Sequence, residues 1–173
     1  MRNSRVTSVR LLVVICLAPA MLASKCDSAV GDPCIPEEEY DADFAGFSAG
    51  EVGVEAKSLQ CATRTCLANH FEGRVSCPAG QDEPGAPGAD DRACWLPGSN
   101  ERVAVAVPAQ LPSRPAESTV YCSCRCDGPD SSARYCECPD GYECTQLVPN
   151  VGVGGEQLRG SSYCIKKGTE FVR

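Results

Sequence analysis

Between Tyr121 and Cys144 the chain reads YCSCRCDGPDSSARYCECPDGYEC, with cysteine at 122, 124, 126, 136, 138 and 144. No other feature restricts the fold as strongly. Six thiols this close are cross-linked, hold a metal, or carry redox chemistry. Alternating cysteines occur in metallothionein-like clusters, and zinc favours thiolates. Structural zinc sites, however, prefer separate cysteine pairs with two to four residues between the two thiols; Cys61 and Cys66 have that spacing, whereas the clustered cysteines alternate along the chain. Redox catalysis usually uses C-x-x-C, which does not occur. Tyr121, Tyr135, Tyr142 and Tyr163 flank the cysteines, which suits a packed protein wall. The expectation is disulfides, with no metal and no cofactor.

The compartment agrees. Arg2, Arg5 and Arg10 precede the apolar run LLVVICLAPAMLA at 11–23, the layout of a secretory signal peptide over residues 1–25. That run is shorter than the ~20 apolar residues a spanning helix needs. Export also places the thiols where disulfides persist.

Cys16 leaves with such a leader, and 13 of the 14 cysteines remain, an odd number. Cys26, in MLASKC, resembles the acylated cysteine of a bacterial lipoprotein, which implies a diacylglyceryl thioether and a membrane anchor there. Lys25 stands where that pattern has a small residue, so cleavage near Ala20 or Ala23 is the competing expectation. With Cys26 lipidated, Cys34, Cys61, Cys66, Cys77, Cys94, Cys122, Cys124, Cys126, Cys136, Cys138, Cys144 and Cys164 form an even set of disulfide candidates. Twelve thiols allow on the order of ten thousand pairings, so connectivity stays open.

Crosslinks are needed because the core is thin. Residues 27–173 hold 12 Val, six Leu, two Ile and four Phe, about 16% of the segment, below the one-fifth level at which apolar burial looks adequate. From Cys26 on, 12 Lys and Arg face 23 Asp and Glu, a formal charge of −11. Such a surface repels phosphate backbones and argues against nucleic-acid binding. Nine of those acids lie in 26–60 beside a single base, Lys57. Residues 26–50 therefore read as an acidic, flexible arm, a tether for a stapled module over 51–173.

Within that module, GEVGVEA (50–56), RVAVAVP (102–108), STVYCSCRC (118–126) and SSYCIKK (161–167) read as strands. CLANHFEGRVSC (66–77) reads as a hairpin turning near Glu72-Gly73, and Pro139-Asp140-Gly141 as a β-turn. PAGQDEPGAPGADD (78–91) is a loop and PAQLPSRPAES (108–118) a linker on composition. Alternation puts Cys122, Cys124 and Cys126 on one strand face, with Cys136 and Cys138 returning opposite them. Five candidates precede the linker and seven follow, so full pairing demands at least one bridge across it. No segment sustains helical periodicity. The fold class is a small disulfide-rich module, mostly β and irregular, with few or no helices.

Two resemblances follow. CECPDGYEC is similar to the ending of an epidermal-growth-factor-like module for nine residues, but Cys144 comes two residues after Tyr142, and no calcium binding is carried over. LQCATRTCLANHFEGRVSCP, YCSCRC, YCECPDGYECTQLVP and SYCIKKGTE together resemble cysteine-rich exported proteins of myxobacteria-type Gram-negative bacteria, many classed as lipoproteins. This likeness spans most of 59–170; it implies envelope attachment and imports no activity.

Catalytic signatures are weak. GFSAG (46–50) has the G-x-S-x-G spacing, with Ser48 as nucleophile, yet PEEEYDAD before it cannot be a buried strand. The sole histidine, His70, makes no catalytic metal site and is expected at a strand end or turn. VGVGG (151–155) lacks the Lys-Ser/Thr of a phosphate loop. Asp41 and Asp43 lack an EF-hand register. The expectation is a non-enzymatic cell-envelope protein, lipid-anchored in the periplasm or outer membrane. Its role would be structural or adhesive, binding a protein or glycan through loops 78–100 or 145–161, with Trp95 as anchor. A secreted inhibitor or effector is the alternative, and an extracytoplasmic metal or thiol-redox protein the third.

Overall fold

The computed structural model describes residues 30–88, 92–147 and 161–171. The leader at 1–25, Cys26 and VGVGG lie outside them, as does most of the 145–161 loop. Two three-stranded antiparallel sheets carry the fold. The first is β1 (Val52–Glu55), β2 (Thr65–Asn69) and β3 (Val120–Ser123), with β2 central and buried throughout. The second is β4 (Arg125–Asp127), β5 (Tyr142–Gln146) and β6 (Ser162–Lys166), with β6 central. The only helix among the described residues is α1, Ala116–Thr119, apart from a 3-10 turn at Glu37–Tyr40. The small disulfide-rich β class is what the structure has.

All twelve candidate cysteines pair: Cys34–Cys66, Cys61–Cys122, Cys77–Cys94, Cys124–Cys136, Cys126–Cys144 and Cys138–Cys164. One bridge, Cys61–Cys122, crosses 108–118, the minimum that parity allowed. Three of the six belong to the second sheet and its return loop, where β4 supplies Cys126, β5 Cys144 and β6 Cys164.

The two sheets share a core. Leu67 on β2, Tyr121 on β3, and Tyr163 and Ile165 on β6 are buried together, with Val52 and Val54 of β1 packed against them. Tyr121 meets Tyr142 edge-on at 5.6 Å, a favourable aromatic geometry. The Lys166 N–H donates to the Tyr121 hydroxyl at 2.8 Å, and the Ser123 hydroxyl donates to the Cys164 carbonyl, so polar groups also cross the joint.

Burial of Tyr121, only 1% exposed, raises its phenol from 10.0 to about 12. The neutral form is therefore favoured by folding. That contribution is intact below pH 10 and is lost as pH climbs from 10 toward 12. It amounts to roughly 2–3 kcal/mol at full loss. Unfolding free energies between pH 9 and 11.5 should fall more steeply for wild type than for Tyr121→Phe; parallel curves would reject the assignment.

Five sequence expectations need correction. The acidic arm at 26–50 is no tether over residues 30–50. Cys34 is crosslinked, Glu39 is fully buried, and Phe44 and Phe47 join the cluster around Cys61, Phe71 and Val120. Asp32 and Gly31 also exchange backbone hydrogen bonds with Cys122. Charge density misled because one of the acids, Glu39, is used internally. The 66–77 hairpin does not form, since β2 pairs with β1 and β3, and Gly73 instead pairs with Phe47. Gly73 is held at φ 87°, where a Cβ would lie 2.5 Å from the Pro108 carbonyl oxygen.

The stretch 118–126 is two strands rather than one. Cys124 marks the break, its carbonyl accepting from the Cys164 N–H as the chain passes from one sheet to the other. The segment 108–118 is no linker either. Arg114 donates to the carbonyls of His70, Asn69 and Thr169, tying this segment to the end of β2 and to the residues after β6. Burial lowers its pKa first, and the Tyr121 charge opposes that. The strand at 102–108 survives only as two isolated bridges, Trp95–Arg102 and Gln81–Val107. The alternation was still meaningful, since Val103 and Val107 are buried.

β1, β6 and the Pro139–Gly141 turn formed as read. The Tyr142 N–H donates to the Pro139 carbonyl, and Gly141 takes φ 86°.

Candidate binding site

The described part of the 78–100 loop is built around one buried amide. Gln81, 3% exposed, donates through Nε2 to the carbonyls of Val103 and Val105, and its Oε1 accepts from the Cys94 N–H. Its backbone exchanges two further hydrogen bonds with Val107. A glutamine in a run of Gly and Pro carries no sequence signal for such a role. Around it, Cys77, Cys94, Leu96, Val103 and Val107 form a separate small core. The Cys77–Cys94 bridge closes the base.

That core supports a short turn-back. Val103 N–H donates to Cys94, and Leu96 N–H donates to Glu101. Trp95 and Arg102 therefore face each other across the two arms. The Arg102 guanidinium stands 4.8 Å from the Trp95 ring centroid and is fixed by donation to the Gly85 carbonyl at 2.7 Å. A cation over the indole face is attractive, roughly 0.5–1 kcal/mol when exposed. The indole is 42% exposed. Beside it opens a cleft of about 570 Å³, lined by Pro78, Ala79, Pro87, Arg92, Trp95 and Arg102 among others. An aromatic face, proline walls and the Arg102 guanidinium suit a ligand with an apolar or flat face and a carboxylate.

The other sequence candidates do not converge. Ser48 is exposed in a tight turn, where its N–H donates to the Glu51 carboxylate and its carbonyl accepts from the Glu51 N–H. His70 follows β2 at φ 50°; its Nδ1 lies 3.0 Å from the Ala49 carbonyl and its ring stacks on Phe171 at 4.1 Å. No nucleophile–base contact joins Ser48 and His70. Asp41 accepts from the Asp43 N–H, the local turn its spacing allows. A second cleft of about 530 Å³ is acidic, with Glu37, Glu38, Asp41 and Glu55 beside Lys57. Desolvation raises the Glu55 carboxyl, helped by the Glu37 and Glu38 charges and opposed by the Glu37 N–H.

Among the described residues no helix is long and apolar enough to cross a membrane. Comparison with protein-family models, curated proteins and solved structures found no match to the chain.

Proposed function

We propose that the chain is a non-enzymatic, exported binding module of the cell envelope, anchored by a lipid on Cys26, that holds an acidic segment of a partner protein in the Trp95–Arg102 cleft. The observation that carries the reading is the Trp95 indole. It is 42% exposed yet braced by Arg102 and by the Cys77–Cys94 staple. Trp and Arg are the side chains most enriched at the energetic centres of protein interfaces. An exposed indole with its rotamer already restricted loses little entropy on binding. Arg102 offers planar donors to a carboxylate on an otherwise acidic chain, which selects the partner's local charge.

Two measurements test this. The intact mass of envelope-purified protein, before and after reduction, should show a diacylglyceryl adduct on Cys26 and six bridges; an unmodified N-terminus near Ala20 or Ala23 would favour the secreted alternative. For the cleft, binding of wild type and Trp95→Ala to envelope fractions should be compared with and without prior proteolysis or glycan digestion. Trp95→Ala is expected to weaken binding about 30-fold or more, the scale of an interface hot spot. The thermal midpoint should shift little, because the indole is half outside the core. Equal binding by the two proteins rejects the cleft, and loss of binding only after glycan digestion reassigns its ligand to a glycan.

A further inference from the structure

Three of the six bridges are stacked against one another. The Sγ atoms of Cys124 and Cys164 are 3.5 Å apart and those of Cys136 and Cys164 3.8 Å, though neither pair is bonded. At the other end of the same bridge, Cys138 Sγ lies within 4.8 Å of both Cys126 and Cys144. Cys138–Cys164 thus touches one neighbouring bridge with each of its two sulfurs. Exposure is greatest at one end of the row. Cys144 is exposed, Cys126, Cys136 and Cys138 are half-buried, and Cys124 and Cys164 are buried.

We propose that these three bridges form a thiol–disulfide exchange relay that accepts an electron pair from an external dithiol at Cys126–Cys144 and passes it through Cys138–Cys164 to Cys124–Cys136. In the first step the dithiol is oxidised to its own disulfide and Cys126–Cys144 is reduced to two thiols. The later steps are redox-neutral. The Cys144 thiolate attacks Cys138, forming Cys138–Cys144 and expelling Cys164 as thiolate. The Cys164 thiolate attacks Cys124 at 3.5 Å, forming Cys124–Cys164 and expelling Cys136, which takes a proton from water. Two thiols, on Cys126 and Cys136, remain at the end.

Exchange requires a thiolate within reach of a disulfide sulfur and an exposed place to begin. This row has both. The molecule contains its own comparison. Sulfurs of Cys34, Cys61 and Cys122 are also within 4.8 Å, so Cys34–Cys66 and Cys61–Cys122 are neighbours too. All four of those cysteines are buried, which closes that pair to reagent. Cys77–Cys94 belongs to none of these sulfur groups. Absence of C-x-x-C hid the relay from sequence, because the contacts join cysteines 6 to 40 residues apart.

The test treats the mature full chain, anaerobically, with one equivalent of dithiothreitol at pH 8. Samples are quenched in acid over time, free thiols are alkylated, and the label is mapped after peptic digestion. A parallel arm uses a phosphine reductant at pH 4, where thiolate is scarce and exchange stops. At pH 8 label should appear first on Cys126 and Cys144 and later on Cys136 or Cys124; at pH 4 it should stay on Cys126 and Cys144. The labelled fraction of Cys124 plus Cys136 should differ about tenfold or more between arms, given that the thiolate fraction falls tenfold per pH unit below roughly 8.5. Cys138→Ser with Cys164→Ser should abolish the late label and keep the early one. If that variant does not fold, the two wild-type arms decide alone. Label confined to Cys126 and Cys144 at pH 8, or first label on Cys34–Cys66 or Cys77–Cys94, overturns the proposal.

Discussion

Replacing both Cys61 and Cys122 by alanine is expected to destabilise the protein by about 4 kcal/mol, against about 3 kcal/mol for Cys77→Ala with Cys94→Ala. The difference follows from loop length. Cys61–Cys122 spans 61 residues and Cys77–Cys94 only 17, so the first removes more freedom from the unfolded chain. Its position adds to this. It is the single bridge that joins the two sides of 108–118, and both of its sulfurs are buried beside Cys34. Truncating them opens space in the cluster of Phe47, Phe71 and Val120 that a thin core cannot refill. Against a usual total of about 5–15 kcal/mol, the double variant should be partly unfolded near body temperature. Urea unfolding of both pairs of variants measures it. A loss under 1 kcal/mol, or a larger loss for the Cys77–Cys94 pair, would mean that the first sheet does not depend on its crosslink.

The same bridge shows what the sequence could and could not disclose. Cysteine parity around 108–118 required a crossing bridge without saying which residues made it. The period-two pattern located β1 and β6, because Val52, Val54, Tyr163 and Ile165 pack into one shared cluster. It failed at 118–126, where alternation continues unbroken although the backbone changes sheets at Cys124. Periodicity reports which face a side chain takes, not which partner strand it meets. At 102–108 it found buried Val103 and Val107, but their backbone partners are a loop glutamine and a short turn-back rather than a ladder. Trp95, singled out as the lone indole in a loop, does stand half-exposed beside a cleft. Gln81, Arg74 and Glu39 were not legible, since polar side chains hydrogen-bonded inside a small protein are indistinguishable by type from solvated ones. Composition described 26–50 by its charge, and the error came from one buried carboxylate.

Substituting that carboxylate should have the second large effect. Glu39 is fully buried, and its two oxygens accept from the N–H groups of Val75 and Ser76 and from the Ser76 hydroxyl at 2.7 Å. Arg74, also fully buried, reaches back from the neighbouring position to the carbonyls of Phe44, Asp41 and Glu39. Each segment thus supplies the charge that satisfies the other segment's backbone. Desolvation lowers the Arg74 pKa while Glu39 and Asp41 raise it, so the carboxylate offsets the cost of burying the guanidinium. Glu39→Ala removes the acceptor of the Val75 and Ser76 N–H groups and leaves the buried Arg74 charge uncompensated, which should cost about 3–5 kcal/mol. Glu39→Gln keeps the shape but turns an amide NH₂ toward donors, and should fall between alanine and wild type. The loss should be local before it is global. Phe44 and Phe47 would leave the first core while Cys34–Cys66 still holds the chain, so hydrogen exchange should accelerate over 36–47 and stay slow in β5 and β6. A double-mutant cycle with Arg74→Met separates the two charges; a coupling energy near zero would show that they serve independent sites. Strong coupling would mean that the acids before Cys61 include one whose work is to bury an arginine, and that residues 30–50 fold because of their charge rather than in spite of it.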